Sequence, residues 1–296
     1  MRWDRIMLNS ARPLDVVHFA ALALMGAGSV VVWNLAAQAR WFLMVDLLLM
    51  VVLAGLVAGP LSRCGPATAA TVRMVVSIVL IATLFAQMSV IVPNLHPLTY
   101  DAELLRIDKE LLGFDPNSSI DFLHNRILTD LFAIGYFSFY FIPIAFFVVL
   151  YRARSFEWIE RANLAVITGF YVSFLGNAIF PALSPFRYVE AETQLAGLWF
   201  YDHLHYAVDT LEPHKFSAFP SGHILVASIV VILAAKWRRD VLPYFLFWGA
   251  VLWLGTIYLR YHYLIDTLVS IGLAPLCVWA AQLVPARLCG PARQGG

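Results

Sequence analysis

Eight separate stretches of this chain are apolar over the roughly 17 to 25 residues that an α-helix needs to cross the hydrocarbon core of a bilayer. Nothing else in the sequence restricts its fold as strongly. The stretches run from 15 to 37, 41 to 60, 70 to 93, 129 to 150, 162 to 181, 221 to 237, 241 to 259 and 264 to 285. Backbone in lipid finds no water to bond, so such runs fold as helices that pair their own N–H and C=O groups. Composition agrees. Of the 296 residues 61% are hydrophobic and 13% charged, about half the charged fraction of a soluble protein. The expected fold is an all-α, polytopic integral membrane helical bundle of about eight transmembrane helices, of which the last six form the catalytic core. The first run follows Arg2, Arg5 and Arg12. It is longer than the ~7 to 15 apolar residues of a cleavable signal and reads as a retained anchor.

Basic residues beside spans stay on the cytoplasmic side during insertion. With the amino terminus inside, thirteen lysines and arginines fall on one set of connections and seven on the other. Both termini are therefore expected in the cytoplasm, and the two long connections, about 94 to 128 and 182 to 220, outside. The expected location is the inner (plasma) membrane of a bacterium. Three parts follow: residues 1–93 as accessory helices, 94–285 as the chemistry-bearing bundle, and 286–296 as a short cytoplasmic tail. A net charge of +1 without a basic block argues against a nucleic-acid partner. Cys64, Cys277 and Cys289 give no pattern for disulfide pairing. Asp46 and His18 lie within spans but near their ends, so both are expected to reach headgroups or water rather than to act.

In the first outer connection, Leu104, Leu105, Ile107, Leu111 and Leu112 recur at helical spacing among charges from Asp101 to Leu112, which predicts an amphipathic helix ended by Gly113. Asp101, Asp108, Asp115 and His124 are expected to be solvated or capping groups. The second outer connection ends in Pro220-Ser221-Gly222-His223, directly before an apolar run. Pro220 suits the first position of a helix, and the N–H groups of Ser221 and Gly222 would then offer an anion the positive end of a dipole, with His223 in the same turn. Arg260-Tyr261-His262-Tyr263-Leu264-Ile265-Asp266 precedes the last run at the same face. His262 and Asp266 are four apart and share one side of a helix. The carboxylate can hold one imidazole nitrogen and leave the other free to attack.

These two motifs resemble those of the type-2 phosphatidic acid phosphatase superfamily, and among its branches the one related to inositol phosphorylceramide synthases, over roughly 95 to 285. The resemblance implies His223, His262 and Asp266 as catalytic residues, with a phosphohistidine on His262, His223 protonating the leaving oxygen, and Ser221 and Gly222 binding phosphate. It implies no cofactor and no metal. Gly255-Thr256 stands where the superfamily usually has Ser-Arg, and its first motif, Lys, six residues, then Arg-Pro, has no counterpart on the outer face. Arg187, in a Pro-rich turn that resembles this branch, Arg260 and Lys215 are the basic residues expected to contact phosphate instead. Asp202, His203, His205 and His214 share the connection but lack a metal-ligand spacing.

The expected function is a lipid phosphatase or phosphotransferase working at the extracytoplasmic face. The expected partners are the bilayer, a lipid phosphate or phospholipid substrate, and, for transfer, an acceptor alcohol such as an inositol-like or lipid hydroxyl. The alternatives are a phosphodiester headgroup transferase, a non-catalytic lipid-binding or transport protein, and a metal-dependent hydrolase using the outer histidines.

Overall fold

The computed structural model describes residues 11–119, 121–188, 195–285 and 288. Arg2, Arg5, Arg287, Arg293, Cys289 and most of the tail from 286 lie outside the described residues. In chain order the main helices are α1 (Pro13–Val31), α2 (Ala39–Ala58), α3 (Pro66–Leu95), α4 (Asp101–Leu112), α5 (Arg126–Phe137), α6 (Ile142–Arg152), α7 (Phe156–Ile179), α8 (Tyr201–Leu211), α9 (Gly222–Trp237), α10 (Leu242–Tyr258) and α11 (Leu264–Leu283). No strand occurs among the described residues, and the protein is an all-helical membrane bundle.

Each of the eight apolar runs is helical, but they are not equivalent. Among the described residues five helices are long and apolar enough to cross a membrane, or six if α5 and α6 count as one bent span. The remaining two, α9 and α10, have 16 and 17 residues, which at ~1.5 Å per residue falls short of a ~30 Å core. The fourth run breaks because Pro143 sits in the first turn of α6, where its ring and missing N–H stop a helix from continuing upstream. A 3₁₀ turn at Ser138–Tyr140 bridges the gap and the two halves meet at 53°. That bend turns Tyr136, Phe139 and Tyr140 toward the site described below.

The largest packed core joins α6, α7, α9, α10 and α11 through Phe146, Leu150, Ile167, Ile224, Phe245 and Val278. By contrast α1 and α2 leave Leu24, Trp41, Leu48 and Val51 exposed, which suits a surface bathed in lipid tails. A close approach beside the site depends on a glycine: a Cβ on Gly176 of α7 would lie 2.1 Å from Cδ of Pro220.

Four expectations change here. Asp46 does not reach water or headgroups; it is 1% exposed and accepts a 2.8 Å hydrogen bond from Nε2 of Gln87. His18 is also sealed, between the Tyr171 hydroxyl at 2.7 Å and Oγ of Ser77 at 3.0 Å. Asp101 is fully buried rather than solvated, whereas Asp108, equally buried, has the expected capping role. Pro220 lies ahead of the helix: Ser221 is the N-cap of α9, its Oγ accepting from the N–H of Ile224, and Gly222 opens the first turn.

Helix α4 has the predicted bounds, with Gly113 as its left-handed cap at φ 77°. Its two buried carboxylates tie the outer segments together. Asp101 accepts from the N–H of Leu183 and the hydroxyl of Tyr263 at 3.0 and 2.8 Å. Asp108 accepts from the N–H groups of Leu264 and Ile265, both at 2.7 Å. Tyr263, the N-cap of α11, provides no side-chain cap, so Asp108 satisfies N–H groups that a helix start otherwise leaves open.

Candidate active site

His262 lies in the turn between α10 and α11, 4% exposed. Its Nδ1 stands 2.5 Å from Oδ2 of Asp266 and 3.0 Å from the carbonyl of Ala218. Both neighbours are acceptors, so Nδ1 carries the proton and Nε2 keeps its lone pair. The Ser221 hydroxyl lies 2.9 Å from that Nε2. The other oxygen of Asp266 accepts from the Ser221 N–H at 2.6 Å and from Oγ of Ser270 at 3.2 Å. One buried carboxylate thus fixes both the imidazole and the start of α9. Burial disfavours the charged ring, but the Asp266 charge and hydrogen bond, the charge of Glu212 and the Ala218 carbonyl outweigh it, and the His262 pKa rises above its ordinary value.

His223, in the first turn of α9, faces the same space, with its ring centroid 5.9 Å from that of His262. Its Nε2 is 2.9 Å from Oε1 of Glu212. The Tyr140 hydroxyl donates to the same oxygen at 3.1 Å and that of Tyr136 at 3.3 Å. The rings of Phe139 and Tyr136 enclose His223 at 4.2 and 4.7 Å. Burial would push the Glu212 carboxyl up, yet His223 beside it, the Tyr140 hydroxyl and the nearby His262 bring it below the usual glutamate value.

Glu212 follows the last residue of α8, which packs on α5 through Tyr201, Val208, Ala133 and Tyr136 and is tied to it by Asp130. Asp130 accepts from the N–H groups of Leu198, Trp199, Phe200 and Tyr201 at 3.1, 3.0, 3.2 and 2.9 Å. Gly197 is needed for that approach, since a Cβ there would sit 2.1 Å from Oδ1 of Asp130. Along α8, His205, Val208, Asp209 and Glu212 recur at helical spacing on the side that lines the site. Asp209 pairs with Arg187 and with Nζ of Lys215, the latter at 2.9 Å. The Lys215 hydrogen bond is the main reason its carboxyl lies below the ordinary value.

These groups border a cavity of about 50 Å³ lined by Arg187, Asp209, Glu212, His214, Lys215, His223, Tyr261 and His262, among others. A single water needs ~10 to 15 Å³ on this scale, so the space suits a small anion. An apolar slot of about 330 Å³ adjoins it between α3, α6 and α7, walled by Ile78, Ile81, Phe85, Ile144, Phe147 and Phe170. Glu212, Ser217 and His223 line both spaces.

Of the residues expected from sequence, His223, His262, Arg187 and Lys215 meet at the polar cavity, and Asp266 and Ser221 lie directly behind it. Gly222 borders the apolar slot instead. Arg260, 3% exposed, is not among the cavity-lining residues; it takes a positive φ of 59° and its carbonyl accepts from the Phe186 N–H at 2.7 Å. Glu212, Asp209, Tyr136 and Tyr140 did not stand out in sequence. The repeat of Asp202, His205, Asp209 and Glu212 on one side of a short helix was the available signal. Among the described residues no group of three or more His, Cys, Asp or Glu is placed to hold a metal ion.

The arrangement defines a class: a helical membrane protein whose paired histidines, each held by a carboxylate, close on an anion-sized space with an apolar slot beside it. A sequence profile of the PAP2 superfamily matches residues 102–280, and the chain belongs to that superfamily. It is also similar to a PA-phosphatase related-family protein of Dictyostelium discoideum, 26% identical over 219 residues that cover 61% of this chain and 39% of that one. The matched stretch therefore spans well under half of that relative. No solved structure matches significantly.

Proposed function

We propose that the protein is a membrane lipid phosphatase or phosphotransferase that works through a phosphohistidine on His262. The carrying observation is the orientation of one ring: Asp266 and Ala218 occupy Nδ1 of His262, which leaves Nε2 as the nucleophile beside a cavity that His223 also lines. In the first step Nε2 attacks phosphorus, the bond to the lipid oxygen breaks, and His223 gives that oxygen its proton. His223, now neutral, then takes a proton from water, whose oxygen attacks the phosphoryl group and releases phosphate from His262. An alcohol in place of water would give a new ester. Proton transfer of this kind contributes about 10² to 10⁴-fold.

Arg187 and Lys215 provide the positive charge for the phosphate, and Asp209 holds them until substrate arrives. Ser221 contributes its hydroxyl at the nucleophile and Gly222 the close backbone at the start of α9. Arg260 shapes the floor through Phe186 rather than touching phosphate. Glu212 positions His223. The apolar slot takes the lipid tail, which makes α3, part of the accessory segment 1–93, a wall of the substrate site. The outer location of the site and the cytoplasmic termini rest on the lysine and arginine distribution.

A second reading, headgroup transfer from a phosphodiester to an alcohol, is favoured by the tyrosines that flank His262 and by Gly255-Thr256 in place of Ser-Arg. One experiment separates the readings. Purified protein is given labelled phosphatidate, a labelled phosphodiester lipid, and each of these with inositol. Free phosphate supports hydrolysis, and a new inositol ester supports transfer. An acid-labile phosphoprotein should accumulate in wild type and vanish in His262→Ala. Turnover that persists in both His262→Ala and His223→Ala would overturn the proposal and favour a binding or transport role.

A further inference from the structure

His214 is the one cavity-lining histidine with no hydrogen bond to either ring nitrogen among the described residues. It is 1% exposed, and both nitrogens are sealed from solvent without a partner. An imidazole always offers at least one donor or acceptor at each nitrogen, and buried polar groups in native proteins are nearly always paired. Packing does not account for the choice of histidine. Its ring meets Phe85 edge-on at 5.4 Å, a contact that phenylalanine would make equally well.

Its position indicates what the missing partner is. His214 borders the polar cavity, Phe85 borders the apolar slot, and Ser217, whose hydroxyl donates to the His214 carbonyl at 3.0 Å, borders both. His214 therefore lines the polar cavity while its ring packs on a residue that walls the apolar slot. Burial pushes its pKa down to about 3, so at working pH the ring is neutral, with one donor and one acceptor. Such a ring adds no charge for a phosphate. It suits an uncharged group that gives or takes a hydrogen bond.

Resting on the lipid-phosphate reading above, we infer that His214 is a specificity-determining residue that hydrogen-bonds a hydroxyl or carbonyl of the substrate located between the phosphate and the hydrocarbon tail. The preferred substrates then carry a polar backbone beside the phosphate, as glycerol-based and long-chain amino-alcohol lipids do. Phosphates joined directly to hydrocarbon, as in alkyl or polyprenyl monophosphates, bind less well.

The test compares three substrates in mixed micelles with full-length protein: hexadecyl phosphate, a hexadecyl glycerol ether phosphate with a free hydroxyl and no carbonyl, and a dihexadecanoyl glycerol phosphate with carbonyls and no hydroxyl. One net hydrogen bond corresponds to about tenfold, so wild type should favour at least one glycerol substrate over hexadecyl phosphate by about that factor in kcat/KM. Whether the ether or the diester gains identifies the hydroxyl or the carbonyl as the group bound. His214→Phe, which keeps the contact with Phe85, should erase the advantage by raising KM while hexadecyl phosphate stays within about twofold, and His214→Gln should restore part of it. Equal treatment of all three substrates by wild type overturns the inference without needing any variant to fold. Parallel losses on all three in a folded His214→Phe also overturn it. Wild type that releases phosphate from none of them removes the functional reading and this inference together.

Discussion

Two of the polar clusters buried in this bundle are built to opposite ends. In the inner one, in the N-terminal parts of α1 and α3, Asp15 binds Arg73 through Nε and Nη2 at 3.0 and 2.9 Å. Glu160 approaches the same guanidinium at 3.5 Å. His18 joins Tyr171 and Ser77, and Ser77 in turn donates to the Arg73 carbonyl at 2.8 Å. Both nitrogens of His18 are engaged, and its ring lines neither cavity. At the other end, His262 has one nitrogen fixed and the other beside a cavity, while His223 meets a carboxylate across that same space. Burial and pairing are common to both clusters, so neither marks a site. All three rings have partners at both nitrogens, so what separates the clusters is room: His262 and His223 line a cavity that can take a ligand, and His18 lines neither cavity.

The comparison breaks first at His262. His262→Ala should lower kcat on a lipid phosphate by at least about 10³-fold, whereas no side chain of the inner cluster should matter to that degree. Asp266→Asn, measured the same way, should cost about 10² to 10⁴-fold, because an amide can present its NH2 to Nδ1 and move the ring proton to Nε2. Arg187→Ala combined with Lys215→Ala should chiefly raise KM, by about 10 to 100-fold, as lost charge-assisted hydrogen bonds do. A fall in kcat with unchanged KM would assign these cations to the transition state instead.

How much of this was readable from sequence follows from the range of the interactions. The apolar runs, α4 with its Gly113 cap, and the His262 to Asp266 contact are local features and legible as such, although the fourth run is bent, two runs are short and His262 lies in the turn before α11. Ser221 was also expected near His262, but only the fold reveals that its N–H is taken by Asp266 rather than held open for an anion. Glu212 was missed for a similar reason. Its partners are Tyr136 of α5 and Tyr140 of the following 3₁₀ turn, 76 and 72 residues back, and His223 of α9, eleven residues on, and a single glutamate after an amphipathic helix carries no sign of them. His18 and Asp46 were assigned to the interface because sequence gives depth along a helix but not which side faces a neighbour. Arg187 and Lys215 were found as isolated basic residues, and the carboxylate between them, Asp209, was not.

A subtler test lies in pH. The attacking ring must be neutral, and its pKa is raised, so kcat/KM should fall as pH drops through a midpoint above the ordinary histidine value of about 6.5. The Glu212 charge is one source of that rise. In Glu212→Gln the acid limb should therefore move to lower pH, while the rate at its plateau falls about tenfold from poorer placement of His223. Direct participation of Glu212 as the proton donor would be indicated by a basic limb that vanishes in the variant; a positioning role leaves that limb in place.

The smallest expected effect on turnover is at His18, and it tests the division from the other side. His18→Phe fills the volume but leaves the Ser77 and Tyr171 hydroxyls without their shared partner. Ser77 keeps its bond to the Arg73 carbonyl, so most of the loss falls on Tyr171, and burying one such group unpaired costs about 1 to 3 kcal/mol. The melting temperature should drop while kcat and KM on a short-tailed lipid phosphate stay within about threefold. Ser77 also lines the deep part of the apolar slot, so a change restricted to long-tailed substrates would show that the inner cluster shapes the end of the slot. Equal loss on short and long tails at unchanged stability would mean that a buried histidine lining neither cavity can still govern the chemistry, and the distinction drawn between the two clusters would fail.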